Sequence, residues 1–272
     1  MSKRFDIFCN KFTTILGGTP FVDPNISCTS VATRPFPLKI QGVDSSKVNN
    51  ALVVGLDFQS LDKKGKALCL GEISLLESEL TPFVRFLSNY KSIKIGSAVQ
   101  LYLKSNPKVF TLTIEAVENP VIFAKIVRKS FIRANINFFP TRIRRGERRC
   151  KRLASVFGNM FVPFCFNNFC TIRLHRSRKS KILGRLNVAF NDLLFSFTPI
   201  SKTESLCLAR LDLFEDEINK VVKRIQKRGF ILGNASSFFS FSSPPSSIVT
   251  YQAITNPFVF ARKSSEIVKG IN

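Results

Sequence analysis

The chain has 272 residues, 41 Lys and Arg against 18 Asp and Glu, a formal charge of +23 and a pI near 10.2, while 44% of its residues are hydrophobic and 28 are Phe. That apolar content excludes a disordered basic tail: a folded body carries the charge, and its sign points to a polyanion, either nucleic acid or an anionic membrane face. No run of 18 uncharged apolar residues exists to span a bilayer, and the opening MSKRFDIFCNKFTTILGG has no continuous apolar stretch of the signal-peptide type.

Residues 1–48 mix Pro, Ser, Thr and Asn with short apolar patches, as in GGTPFVDPN and ATRPFPLKI, and read as an extended N-terminal arm. No internal repeat is evident. From Ala51, ALVVGLDF and ALCLGEISLL are β-rich runs on either side of the turn-forming LDKKGK. Thr81-Pro82 predicts a short helix over 82–90, because Thr caps well and Pro has no N–H to leave unpaired in the first turn. SAVQLYLKSN and VFTLTIEAV read as strands broken at Asn106-Pro107. Within 121–139, the alternation of Ile132, Ala134, Ile136 and Phe138 predicts a half-exposed strand.

After Pro140, TRIRRGERRCKR reads as a loop or a solvated strand end. FVPFCFNNFCTIRLHRSRKSKILGRLNVAF predicts two strands joined by a basic turn, with Cys170, Ile172 and Leu174 on one face and Thr171, Arg173 and His175 on the other. Leu211, Phe214, Ile218, Val221 and Ile225, with acids early and cations late, predict one long amphipathic helix over 206–228, stopped at Gly229. NASSFFSFSSPPSS then opens a low-complexity Ser/Phe/Pro tail over 233–272. The expected fold is mainly β with flanking helices, a β-rich core at 49–232 between flexible termini.

Seven Cys, at positions 9, 28, 69, 150, 165, 170 and 207, lack the paired spacing of a disulfide framework and read as thiols of a reducing compartment, the cytosol. With one His, at 175, no phosphate-cradling Gly loop, no G-x-S-x-G and no H-E-x-x-H, the reading is no enzyme, no catalytic residue and no cofactor. Cys165, Cys170 and His175 are spaced like part of a zinc site, but on one strand the two Cys would face opposite sides, so Cys170 is read as a buried apolar residue and no metal is expected.

The basic residues carry the functional reading. Arg142, Arg144, Arg145, Arg148, Arg149, Lys151 and Arg152 crowd one segment, and Arg173, Arg176, Arg178, Lys179 and Lys181 crowd another. Like charges at this density repel unless they stay solvated or meet phosphates, and the planar guanidinium matches phosphate oxygens in pairs. Both groups are therefore the expected nucleic-acid-binding residues, with Phe138 and Phe139 available for base stacking; solvated loops are the plain alternative.

ALVVGLDF, the Gly65 turn, LCLGEISLL, AVQLYLKSNP, FVPFCFNNFCTIRLHRSRKSKILGRLNVAF and LARLDLFEDEINKVV stand in an order that resembles the thirty-kilodalton superfamily of plant-virus movement proteins, closest to its tobamovirus-like branch, over residues 50–222. Gly55 matches the central glycine of the family's first strand, and Glu72 takes the position usually held by Asp. The resemblance implies a jelly-roll-like β core, sequence-nonspecific binding of single-stranded RNA or DNA, peripheral contact with anionic host endomembranes, self-association, contact with host plasmodesmal proteins, and carriage of a genome through plasmodesmata. A capsid, nucleocapsid or ribosomal RNA-binding protein would combine a basic surface with a β core in the same way.

Overall fold

The computed structural model describes residues 3–24 and 26–271; residues 1, 2, 25 and 272, from the expected arm and tail, lie outside the described residues. The chain runs α1 (Lys3–Leu16), β1 (Thr19–Asp23), β2 (Ser27–Thr33), β3 (Lys39–Ile40), β4 (Val43–Asp44), α2 (Asn49–Leu52), β5 (Val53–Gln59), β6 (Ala67–Leu76), α3 (Glu77–Leu87), β7 (Ile93–Val99), β8 (Ser105–Asn106), β9 (Val109–Glu118), α4 (Pro120–Arg133) and β10 (Phe139–Pro140). It continues through β11 (Ile143–Arg145), α5 (Arg148–Phe157), β12 (Val162–Phe166), β13 (Phe169–His175), β14 (Ser180–Ile182), β15 (Arg185–Asn187), β16 (Asp192–Pro199), β17 (Ser205–Phe214), α6 (Glu215–Lys227), β18 (Ile231–Ser237), β19 (Ser242–Ser243), β20 (Ser246–Thr255) and α7 (Pro257–Ile267). The protein is mainly β, in antiparallel sheets with flanking helices.

The second half repeats the first. One sheet has the order β1-β2-β5-β6-β9-β7 and the other β12-β13-β16-β17-β20-β18, with β10 and β11 added at β2 and β12. The details repeat too. The helix before each sheet is tied to the sheet's second strand by a disulfide, Cys9–Cys28 and Cys150–Cys170. A buried guanidinium holds the first turn of each middle helix, through Arg34 on Glu79 and Arg176 on Glu217, and each Glu also accepts the N–H three residues before it, Leu76 and Phe214, at 2.8 Å. Asn119 and Asn256 cap α4 and α7, each just before a Pro in the first turn. The expectation of no repeat is thus corrected: few residue identities survive, while cap, latch and disulfide positions do.

Each half packs helices on one face of its sheet, around Phe12, Phe58, Phe123 and Phe131 in the first and Phe195, Leu211, Val221 and Phe260 in the second. The other two faces meet in a seam of Leu68, Leu70, Leu206, Leu208, Phe238 and Phe239, so the layers run helix, sheet, sheet, helix. The two antiparallel sheets stack face to face, and each is built within one half, which keeps strand pairing local. In β6 the odd residues Ala67, Cys69, Ile73 and Leu75 face helices while Leu68 and Leu70 face the seam, and β17 alternates in the same way.

Burial on both faces explains the main differences from the sequence reading. Residues 205–214 form a wholly buried strand, so the long helix expected over 206–228 is confined to 215–227. Residues 120–133 form α4 rather than a half-exposed strand, since Asn119-Pro120 supplies a helix start. The helix expected from Pro82 begins at Glu77, where Glu79 satisfies the first turn. The arm and tail boundaries at 1–48 and 233–272 also fall: Phe5, Phe12 and Leu16 are core, and Phe238, Phe239, Tyr251 and Phe260 are buried from β18 onward. The thiol reading falls with them, because four of the seven Cys are paired and Cys69, Cys165 and Cys207 are buried. No helix among the described residues is long and apolar enough to cross a membrane.

At the centre of the seam, Glu72 of β6 meets Arg210 of β17, buried at 2% and 4% exposure. They occupy equivalent places in the two halves, so the axis relating the halves passes between them. Reciprocal contacts flank it: Thr113 donates to the Phe238 carbonyl at 2.8 Å and Thr250 to that of Leu101, while Glu115 accepts the Ser240 and Phe241 N–H groups and Gln252 the Leu103 N–H. Arg210→Ala is expected to cost about 3–5 kcal/mol by leaving Glu72 buried and unpaired, whereas Glu72→Leu with Arg210→Met recovers most of it; chemical unfolding of both variants measures the difference.

Burial pushes the carboxyls of Asp57 and Glu115 up to about 8 and about 7, against hydrogen bonds from Thr29 to Asp57 and from Ser240 and Phe241 to Glu115. A carboxyl whose folded pKa is raised favours the fold below its unfolded pKa and loses that contribution as pH rises through the folded value. The melting temperature should therefore fall between pH 5 and pH 8.5, and Asp57→Asn with Glu115→Gln should flatten that fall in a calorimetric pH series.

Candidate functional site

The first basic group forms one surface. Arg142 leads into β11, which adds an edge to the second sheet by pairing Arg144 with Cys165 and Arg145 with Phe164. Gly146 then turns the chain against β12, where its N–H reaches the Pro163 carbonyl at 3.0 Å and an added Cβ would lie 2.5 Å from Pro163 Cβ. α5 follows with Cys150, Leu153 and Ala154 facing the core, which turns Arg148, Arg149, Lys151 and Arg152 outward. The Cys150–Cys170 bond fastens this helix to β13, and Arg152 also lies over the Phe258 ring of α7 at 5.6 Å.

All seven cations, Arg142, Arg144, Arg145, Arg148, Arg149, Lys151 and Arg152, are exposed. No ion pair among the described residues involves any of them, nor Glu147, the acid within the segment. Arg148 and Arg149 sit in the first turn of α5, where the helix dipole is itself positive, so the cations repel both one another and the helix end unless an anion lies against them. The surface can hold phosphates by charge and by paired N–H donors.

The arginines of the second basic group are paired with acids. Arg173 pairs with Asp192 at 2.9 Å; Arg176, buried, holds both Glu217 oxygens at 2.6 and 2.8 Å and the Asp212 carbonyl at 2.5 Å; Arg178 makes a two-toothed contact with Asp216 at 2.9 Å. Of the expected second phosphate-binding group, Arg173, Arg176 and Arg178 are thus engaged in ion pairs, in which Glu217 and Asp216 stand 41 and 38 residues beyond their arginines, while Lys179 and Lys181 face solvent. Phe138 packs on Phe131 and under Arg128, so it belongs to the first core rather than to a stacking platform.

Gly55 and Glu72 are register partners on β5 and β6 and face the seam. Burial raises the Glu72 carboxyl above its ordinary range against the pull of Arg210. Cys165 and Cys170 lie opposite each other across the β12–β13 hairpin and so share a face, contrary to the single-strand reading; Cys170 is bonded to Cys150. Sequence reading missed Asp192 and Arg210, for which the only signal is the pairing of each with a distant strand.

Arg176→Ala is expected to destabilise by about 3–5 kcal/mol, since it strips a buried partner from Glu217. Neutralising Arg144, Arg145 and Arg149 together is expected to change stability by about 1 kcal/mol or less, as solvated positions do. Thermal melts of both variants test the assignment of one arginine set to structure and the other to surface.

A family model described as a Domain of Unknown Function (DUF1259) matches residues 10–132, which covers nearly the whole first half from α1 to α4. No curated protein and no solved structure matches the chain.

Proposed function

We propose that the protein binds single-stranded nucleic acid without sequence specificity, through the arginine face of β11 and α5. The observation that supports this is the exposure of seven cations on one strand–turn–helix segment, none of them paired with a carboxylate among the described residues. Attraction of this kind tracks the backbone rather than the bases, and it needs no catalytic group. The movement-protein resemblance implies the same binding as the first step in carrying a viral genome through plasmodesmata, and that role is part of the proposal.

Affinity for a single-stranded oligonucleotide should fall steeply between 50 and 200 mM salt, and Arg144→Ser, Arg145→Ser, Arg148→Ser and Arg149→Ser together should lower the salt slope by about 0.7 for each phosphate they no longer neutralise. Binding that ignores salt, or a quadruple variant that binds as the parent does, refutes the interface. For transport, a fluorescent fusion in leaf epidermis should give punctate signal at cell junctions; nucleolar or organellar signal refutes that part.

A further inference from the structure

The sheets close tightly along β9 and β20 but part at their other edge, where β1 and β12 meet through the Phe21 and Phe164 rings, 5.8 Å between centroids. Between them lies a cavity of about 360 Å³. Its floor is the seam itself at Gly55, Glu72, Arg210 and Asp212, and its mouth carries Phe21 and His175. The volume falls in the range of small-molecule sites.

Three observations define what would fit. A Cβ at Gly55 would meet only the Val53 side chain, at 3.5 Å, so β5 opens directly into the cavity, whereas the equivalent place on β16 holds Leu194. Asp212 Oδ1 and Arg210 Nε, on side chains 8% and 4% exposed, face each other as an ion pair at 3.5 Å and complete no other hydrogen bond, which sets an acceptor and a donor side by side in the wall. His175 places Nδ1 2.8 Å from Asp192 Oδ1, and since a carboxylate only accepts, Nδ1 carries a proton and the ring is held at the mouth.

Both guanidiniums in the lining are paired. Arg173 is held by Asp192 and Arg210 by Glu72 and Asp212, whose carboxyls burial raises above their ordinary range, and the exposed Asp23 lies at the rim, so an anion finds no surplus cation here, unlike on the arginine face. Most of the remaining lining is apolar, through Val53, Phe166 and Phe190 among others. We propose that this cavity is a binding site for an uncharged, ring-sized apolar molecule bearing a group that both donates and accepts hydrogen bonds, as a carboxamide does.

His175 is the chain's single histidine, so its imidazole C–H resonance reports on the cavity without assignment. Benzamide, benzoate and benzylamine, titrated separately into the full-length protein, compare an uncharged, an anionic and a cationic head on one ring. Benzamide should move the resonance saturably, and benzoate and benzylamine should bind at least tenfold more weakly. Gly55→Leu, which copies the equivalent residue into the cavity, should abolish the benzamide shift while keeping the parent melting temperature; Leu194→Phe fills the space from the facing wall should Gly55→Leu fail to fold. An unmoved resonance with benzamide, an equal shift in the filled variants, or tighter binding of either charged probe overturns the proposal.

Discussion

A carboxylate and a guanidinium, Glu72 and Arg210, lie buried against each other where the two halves are related, and that contact dictates how the halves combine. Either group alone would be costly out of water, and together they offset most of that cost. Since the two positions are equivalent, a pair of first halves would set Glu against Glu, and a pair of second halves Arg against Arg. Only the mixed arrangement is electrically tolerable, so one chain's halves are committed to each other. The pair is flanked by Asp212, 3.5 Å from the Arg210 Nε, and by the Phe238 ring, 4.8 Å from its guanidinium carbon, which fix the cation in place.

How much of this could be read beforehand varies by element. Strands β5, β6 and β9 are plain in ALVVGLDF, ALCLGEISLL and VFTLTIEAV because short apolar runs between turns have one good solution. β17 is equally apolar, yet Leu211 and Phe214 stand at helical spacing from Ile218, and a true helix begins at Glu215, so two elements read as one. The arm and tail misled for the opposite reason: their Pro and Ser content is a local signal, whereas the burial of Phe12 or Phe239 depends on partners far along the chain. The disulfides join residues 19 and 20 positions apart, a spacing that acquires meaning only when one half is laid over the other.

The same distinction separates the two arginine groups. Their density along the chain is similar, but density does not reveal partners. Arg173, Arg176 and Arg178 meet Asp192, Glu217 and Asp216 because β13 runs beside β16 and the start of α6. The segment from 142 to 152 has no acidic strand beside it and keeps its charge in solvent. The second half holds 23 of the chain's 41 cations and 8 of its 18 acids, counted from residue 141, so the two repeats differ in charge as well as in the Glu and Arg at the axis. One half carries most of the surplus charge, while the seam supplies an enclosed space of different chemistry.

Both disulfides close inside their own half, and neither crosses the seam. The covalent link between halves is therefore a single stretch of backbone at Thr141 and Arg142, between β10 on one sheet and β11 on the other. Scission there would leave two cross-braced fragments whose reunion becomes a bimolecular event, strong or weak according to concentration. The molecule is in this sense a tethered heterodimer, its two halves joined by one peptide segment at the buried Thr141.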